Sequence, residues 1–153
     1  MIKKTPLLLL SLVINLLLLS VESKGQQPPD TIRFKLLIEE GITLMNFARF
    51  DESQEAFLKA RDLADSIPNR NFFFKAERKL IELLWRKGQN RAESIEKAKQ
   101  VLQQLYQEEQ AGTHLEASIL VEVANANLMM GKYDSSKYFY TAAIAIYKRV
   151  DGY

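Results

Sequence analysis

The sequence predicts an all-α fold, an α-solenoid of about three stacked two-helix repeats after an N-terminal export signal. Three observations carry that expectation. First, an offset of 83 maps Leu37 onto Leu120, Gly41 onto Ala124, Ala48 onto Gly131 and Phe50 onto Tyr133. The same offset maps Ser53 onto Ser136, Phe57 onto Tyr140 and Ala60 onto Ala143, so small meets small and aromatic meets aromatic without a gap. Second, Gly88 marks a copy between them, offset by 40 from Ala48 and by 43 from Gly131. In that copy Ser94, Ala98 and Val101 come into register after insertion of one residue. Third, each unit contains two segments of helical periodicity, the arrangement that cannot bury its apolar face alone and stacks on its neighbours.

The elements follow in chain order. Lys3 and Lys4 precede an apolar run from Leu7 to Val21, broken only by Ser11, Asn15 and Ser20, and a polar stretch follows. Residues 1–25 therefore have the form of a secretory signal, with cleavage after Ser23 or Gly25. The rival is an uncleaved anchor, but the run is shorter than the ~20 residues that span a bilayer. Residues 26–30 form a polar linker in which Pro28 and Pro29 stop any helix from running on. The repeat domain is residues 31–153, with helices expected at 31–47, 51–67, 71–88, 91–110, 114–130 and 134–149. Leu37, Gly41 and Leu44 recur at helical spacing, as do Ile95, Ala98, Leu102 and Leu105. Asn90 with Glu93, and Thr113 with Glu116, are helix-start pairs, while Gly88, Gly112 and Gly131 fall between helices. Phe72, Phe73 and Phe74 open a helical pattern that continues through Leu80, Leu84 and Trp85, and no segment reads as a strand.

Composition narrows the function classes. The 153 residues are 47% hydrophobic and 26% charged, enough for one domain with its own core. A net charge of +2 from 21 basic and 19 acidic residues, evenly mixed, provides no basic face for nucleic acid. There is no cysteine, so an exported fold must stand without disulfides, and the acylation site of a bacterial lipoprotein is lacking.

The stretch "MGKYDSSKYFYTAA" resembles the tetratricopeptide repeat. It has Gly131, Tyr133, Asp134, Ser136, Tyr140 and Ala143 at that family's spacing, with Ser136 in place of the usual first alanine. "FARFDESQEAFLKA" repeats the arrangement with Ala48, Phe50, Asp51, Ser53, Phe57 and Ala60. The resemblance covers residues 31–149. Asn127 stands where a tyrosine is usual, and the closing proline appears only as Pro68. Periods above the family's usual length resemble its longer-helix variants in bacterial regulatory proteins. The resemblance implies that Gly41, Ala48, Ala60 and Ala143 are small where helices cross closely, and that Phe50, Phe57, Tyr133 and Tyr140 fill the spaces between hairpins.

The sequence has no recognisable catalytic constellation. His114 is the only histidine and reads as a solvated first-turn residue, so no multi-histidine metal site can form. No Gly-x-Ser-x-Gly elbow and no glycine-rich phosphate loop occur. Glu39–Glu40, Asp51–Glu52 and Glu108–Glu109 read as solvated faces, as do Arg78, Lys79, Arg86 and Lys87. The expectation is no enzyme, no catalytic residue, no cofactor and no metal, with a hydrolase using two facing carboxylates as a distant third reading.

In the resembled family the first helix of each hairpin lines a concave groove. Carried over, that spacing names Ile38, Ile42 and Met45, then Lys75, Arg78, Glu82 and Trp85, then Val121, Asn125 and Leu128. Arg78 and Asn125 would be polar anchors on an apolar path suited to a peptide. The bland alternative is that Ile42, Met45 and Trp85 merely cover the core. The last helix has two apolar stripes, Phe139, Ala143, Ile146 and Val150 beside Tyr140, Ile144 and Tyr147, with no polar cap after them. That face is expected to meet a further repeat in a longer chain or a second subunit. The leading expectation is an exported, periplasmic scaffold that binds a protein or peptide partner and no nucleic acid, touching membrane only if the signal stays uncleaved. The alternative is the ectodomain of a bacterial sensor or regulatory protein.

Overall fold

Six helices, with no strand among the described residues, make up the computed structural model, which describes residues 29–152. The signal-like residues 1–25 and most of the linker lie outside that range. The helices are α1 (Asp30–Asn46), α2 (Phe50–Ala64), α3 (Asn71–Lys87), α4 (Arg91–Gln107), α5 (His114–Met129) and α6 (Tyr133–Asp151). Each expected helix is present, and the boundaries differ by no more than a few residues, the usual uncertainty at fraying ends. Pro29 starts α1, its carbonyl accepting from the Ile32 amide at 2.8 Å.

Consecutive helices pair as three antiparallel hairpins, α1/α2, α3/α4 and α5/α6. The turns at 47–49, 88–90 and 130–132 each contain one residue with left-handed backbone: Ala48 (φ 58), Gly88 (φ 80) and Gly131 (φ 73). Ala48 was expected to be small because helices cross there. It is instead exposed, and the position demands a positive φ, which explains why its equivalents are glycine. Gly41 does serve the close crossing. A β-carbon built there would lie 2.3 Å from the ring of Phe57, which is wholly buried.

Serine at the "first alanine" position also has a reason. Ser53 Oγ donates to the Gly41 carbonyl at 2.8 Å, and Ser94 Oγ donates to the Ile81 carbonyl at 3.1 Å. Gly41 and Ile81 are equivalent by the offset of 40, and the one-residue insertion in the middle copy falls between Ile81 and Ser94. Both hydroxyls are buried, so the first and second hairpins are each pinned by a hydrogen bond that alanine could not make.

Neighbouring hairpins share core. Phe34, Ala60, Ala64, Ile67 and Ala76 close the seam between the first and second hairpins. Phe74, Ile81, Leu105, Ile119, Val123 and Ala143 belong to the larger cluster joining the second and third. The first helices touch one another along the array, α1 to α3 and α3 to α5, whereas no second helix touches another second helix. The array therefore curves with α1, α3 and α5 on its inner side. Of the ring-bearing plugs, Phe57 is buried and Phe50 packs against the Met45–Leu80–Leu83 cluster, but Tyr133 is 70% exposed. Tyr133 has no following hairpin to fill against among the described residues.

The helix-start pairs separate. Thr113 Oγ1 accepts from the Glu116 amide at 3.4 Å, and the Glu116 carboxylate reaches back to the Gly112 amide. Asn90 makes no such cap; its amide donates to the Glu93 carboxylate at 2.7 Å.

Candidate interaction groove

The inner side of the curve encloses a groove of about 920 Å³. α1 contributes Phe34, Lys35, Ile38 and Glu39; α3 contributes Asn71, Phe72, Lys75, Arg78 and Lys79. α5 adds His114, Leu115 and Ser118, and Tyr147 of α6 closes one end. Its walls thus come from the first helix of every hairpin, as expected, but from the N-terminal halves of those helices. The floor has apolar side chains held in place by one another, with the Phe34 and Phe72 rings edge-to-face at 4.9 Å. The Lys75 ammonium stands 5.7 Å from the Phe72 ring.

Of the ten residues carried over from the resemblance, Ile38, Lys75 and Arg78 line the groove. The others lie farther along their helices. Met45 is only 3% exposed and sits in the core beside Phe57, so no partner can reach it. Ile42 packs against the same cluster, and Val121 is half-buried against the core of the second seam. Leu128 is exposed near the end of α5, away from the groove lining.

Arg78, Glu82, Trp85 and Asn125 are engaged internally, which corrects the expectation that Arg78 and Asn125 are free anchors. Glu122, almost fully buried, accepts from Arg78 Nη1 at 2.7 Å, Trp85 Nε1 at 3.1 Å and Asn125 Nδ2 at 3.3 Å. The Tyr140 hydroxyl in turn donates to Asn125 Oδ1. Glu82 is held between Lys79 at 2.8 Å and Arg86 at 3.0 Å. Glu77 lies 2.5 Å from Lys97, and Lys87 is 2.7 Å from Asp51. The basic cluster of α3 is thus a set of ion-pair partners rather than a solvated face. A buried carboxylate without such partners would be costly.

The groove residues that the spacing did not name are Phe34, Lys35, Glu39, Asn71, Phe72, Lys79, His114, Leu115, Ser118 and Tyr147. The repeat offsets held a usable signal. Lys35, Lys75 and Ser118 are one position in three copies, and Ile38, Arg78 and Val121 are another. His114 is not a bare solvated residue: its Nε2 is 2.7 Å from Asp151 Oδ1 and its ring leans on Tyr147 at 5.6 Å. Burial pushes the Tyr147 hydroxyl above the ordinary tyrosine range, with Arg78 pulling the other way and Glu122 and Asp151 adding to the rise. Tyr147 therefore stays a neutral hydroxyl at the groove wall. Among the described residues no group of three or more His, Cys, Asp or Glu could hold a metal ion, and no helix is long and apolar enough to cross a membrane.

No family model matches the chain, and none of the curated proteins matches it. Among solved structures, it is similar to the TPR domain of Arabidopsis FLU. That match has 22% sequence identity and a TM-score of 0.61, covering 82% of this chain and 100% of that one.

Proposed function

We propose that this chain, whose fold is that of a tetratricopeptide-repeat solenoid, is an exported scaffold that holds a protein partner in the groove between α1, α3 and α5. The fold itself supports a protein-interaction role. The observation carrying the finer reading is the composition of that groove. Ile38, Phe72, Leu115 and Tyr147 offer apolar surface above the nearly buried Phe34, flanked by Lys35, Glu39, Lys75 and Ser118. A path of that kind favours a peptide segment, its apolar side chains desolvated on the floor and its orientation set by the charged rim.

The scaffold reading is preferred over catalysis because the buried carboxylates have structural work. Glu77, Glu82 and Glu122 each neutralise a Lys or Arg, Glu122 doing so across hairpins. Export rests on Lys3, Lys4 and the apolar run to Val21. N-terminal sequencing of the secreted product should begin at Lys24 or Gln26, and an intact Met1 in a membrane fraction would replace the exported form with an anchored one.

Partner capture from the exported compartment, followed by identification of retained proteins, tests the groove. Lys35→Glu with Lys75→Glu should release the partner while circular dichroism stays unchanged, because both side chains are exposed. Retention of every specific partner by that double variant rejects the groove assignment.

A further inference from the structure

Whatever the groove holds, the two ends of the array form complementary halves of one seam, and we infer that a second copy of this chain stacks head-to-tail, α6 of one copy on α1 of the next. The interior seams set the pattern. In the first, Asp51 at the start of α2 meets Lys87 at the end of α3, at 2.7 Å. In the second, Arg91 at the start of α4 donates to the Met129 carbonyl at the end of α5, at 3.0 Å. Asp51 and Arg91 are the same repeat position, and Lys87 and Met129 agree to within one residue. The next position in the series is Asp134, and its counterpart at the head of the array is Phe47. Both are exposed, Phe47 to 74%.

The remaining seam positions change together at the two ends. Inside, Phe50 packs against the cluster containing Leu80 and Leu83. Shifted to the ends, the ring becomes Tyr133 and the two leucines become Glu40 and Thr43, so a hydroxyl gains polar partners. In the first seam Arg61 faces Glu77 at 4.0 Å, and in the second the same positions are the buried Leu102 and Leu120. At the ends this ionic pair becomes Ile144 and Leu37, an apolar pair. At the ends the first seam's apolar contact is polar on both sides, and its ionic pair is apolar on both sides, as the second seam's already is. The two end faces therefore match each other in character, position by position.

Exposure agrees with the assignment. Ile144 is 51% exposed, whereas its interior equivalent Arg61 is a third exposed. Leu36 is 56% exposed, whereas its equivalent Ala76 is wholly buried in the first seam. The head and tail surfaces differ, so the contact is heterologous and does not close on itself as a two-fold dimer would. Stacking continues the inner curve from copy to copy.

The absence of cysteine makes a direct test available. Phe47→Cys and Asp134→Cys variants of the protein as isolated are treated with a short bis-maleimide. A mixture of the two single variants should give a covalent dimer, the double variant a ladder of multimers, and either single variant alone no product. Adding Ile144→Asp should abolish the ladder while the helical circular dichroism is retained. Dimer from Asp134→Cys alone would mean that α6 pairs with α6, and overturns the proposal. Absence of cross-links in both the mixture and the double variant, with a monomer mass by light scattering at high concentration, also overturns it and leaves the faces to a further repeat or a different partner.

Discussion

Ala48 and Gly41 show that two small residues in one repeat can be small for unrelated reasons. Ala48 holds a left-handed backbone at φ 58, a conformation that costs a non-glycine residue about 1 kcal/mol. Ala48→Gly should therefore leave stability unchanged or raise the melting free energy by up to ~1 kcal/mol. Gly41 lies against the Phe57 ring, and the buried ring has nowhere to retreat. Gly41→Val should lower stability by about 1–3 kcal/mol in denaturant unfolding, the range for overpacked cores. An unchanged midpoint would mean that α1 and α2 do not cross where the structure places them. Tyr106 offers a test in pH. Burial, then the hydrogen bond and charge of Glu116 at 2.8 Å, push its hydroxyl from 10.0 to about 12. Because the folded value is raised, the stabilising contribution is fully present below pH 10 and is lost as pH climbs through about 12. Ultraviolet titration of the tyrosinates should show a late ionisation at about pH 12 that disappears in Tyr106→Phe, while the raised Tyr147 hydroxyl is retained.

At the scale of elements, α3 and α5 are joined by a polar core rather than by apolar contact alone. Arg78, Trp85 and Asn125 converge on Glu122, and the outer helix α6 reaches the same network through Tyr140. Removing only the cation leaves a nearly buried carboxylate short of a partner. Arg78→Ala should cost about 3 kcal/mol, at the lower end of the range for broken buried pairs because Arg78 is itself partly exposed. Arg78→Met combined with Glu122→Leu should cost less than either single change, since neither charge is then stranded. A double-mutant cycle giving additive losses would show that the pair is not coupled. This polar network is also why the groove lies toward the start of the first helices. Farther along them the inward side chains are tied to one another.

At the scale of the whole molecule, the seams decide whether three hairpins behave as one body. The first seam depends on alanines, Ala60, Ala64 and Ala76, all without exposed surface. Ala60→Leu should force the first hairpin outward and cost about 1–3 kcal/mol. In hydrogen exchange, α1 and α2 should then lose protection while α5 and α6 keep theirs, because repeat arrays couple chiefly through nearest neighbours. Uniform loss across all six helices would mean that the array unfolds only as a unit. The head-to-tail contact inferred above belongs to the same scale, for it is one more seam of the same design made between copies.

The sequence by itself determined the helices, their pairing and the stacking order, because these follow from side-chain periodicity and from an offset of 83 that preserves size and aromaticity. It also contained the groove position, in the equivalence of Lys35, Lys75 and Ser118, although the spacing carried over from the resembled family pointed farther along the helices. Only the tertiary structure decided which polar residues are available. Arg78 and Glu122 stand 44 residues apart, and Trp85 and Glu122 stand 37 apart, so their union depends on how two hairpins are superimposed. A helical pattern specifies the direction in which a side chain leaves its own axis. The partner that waits there is set by the crossing of a second axis, to which local periodicity is blind.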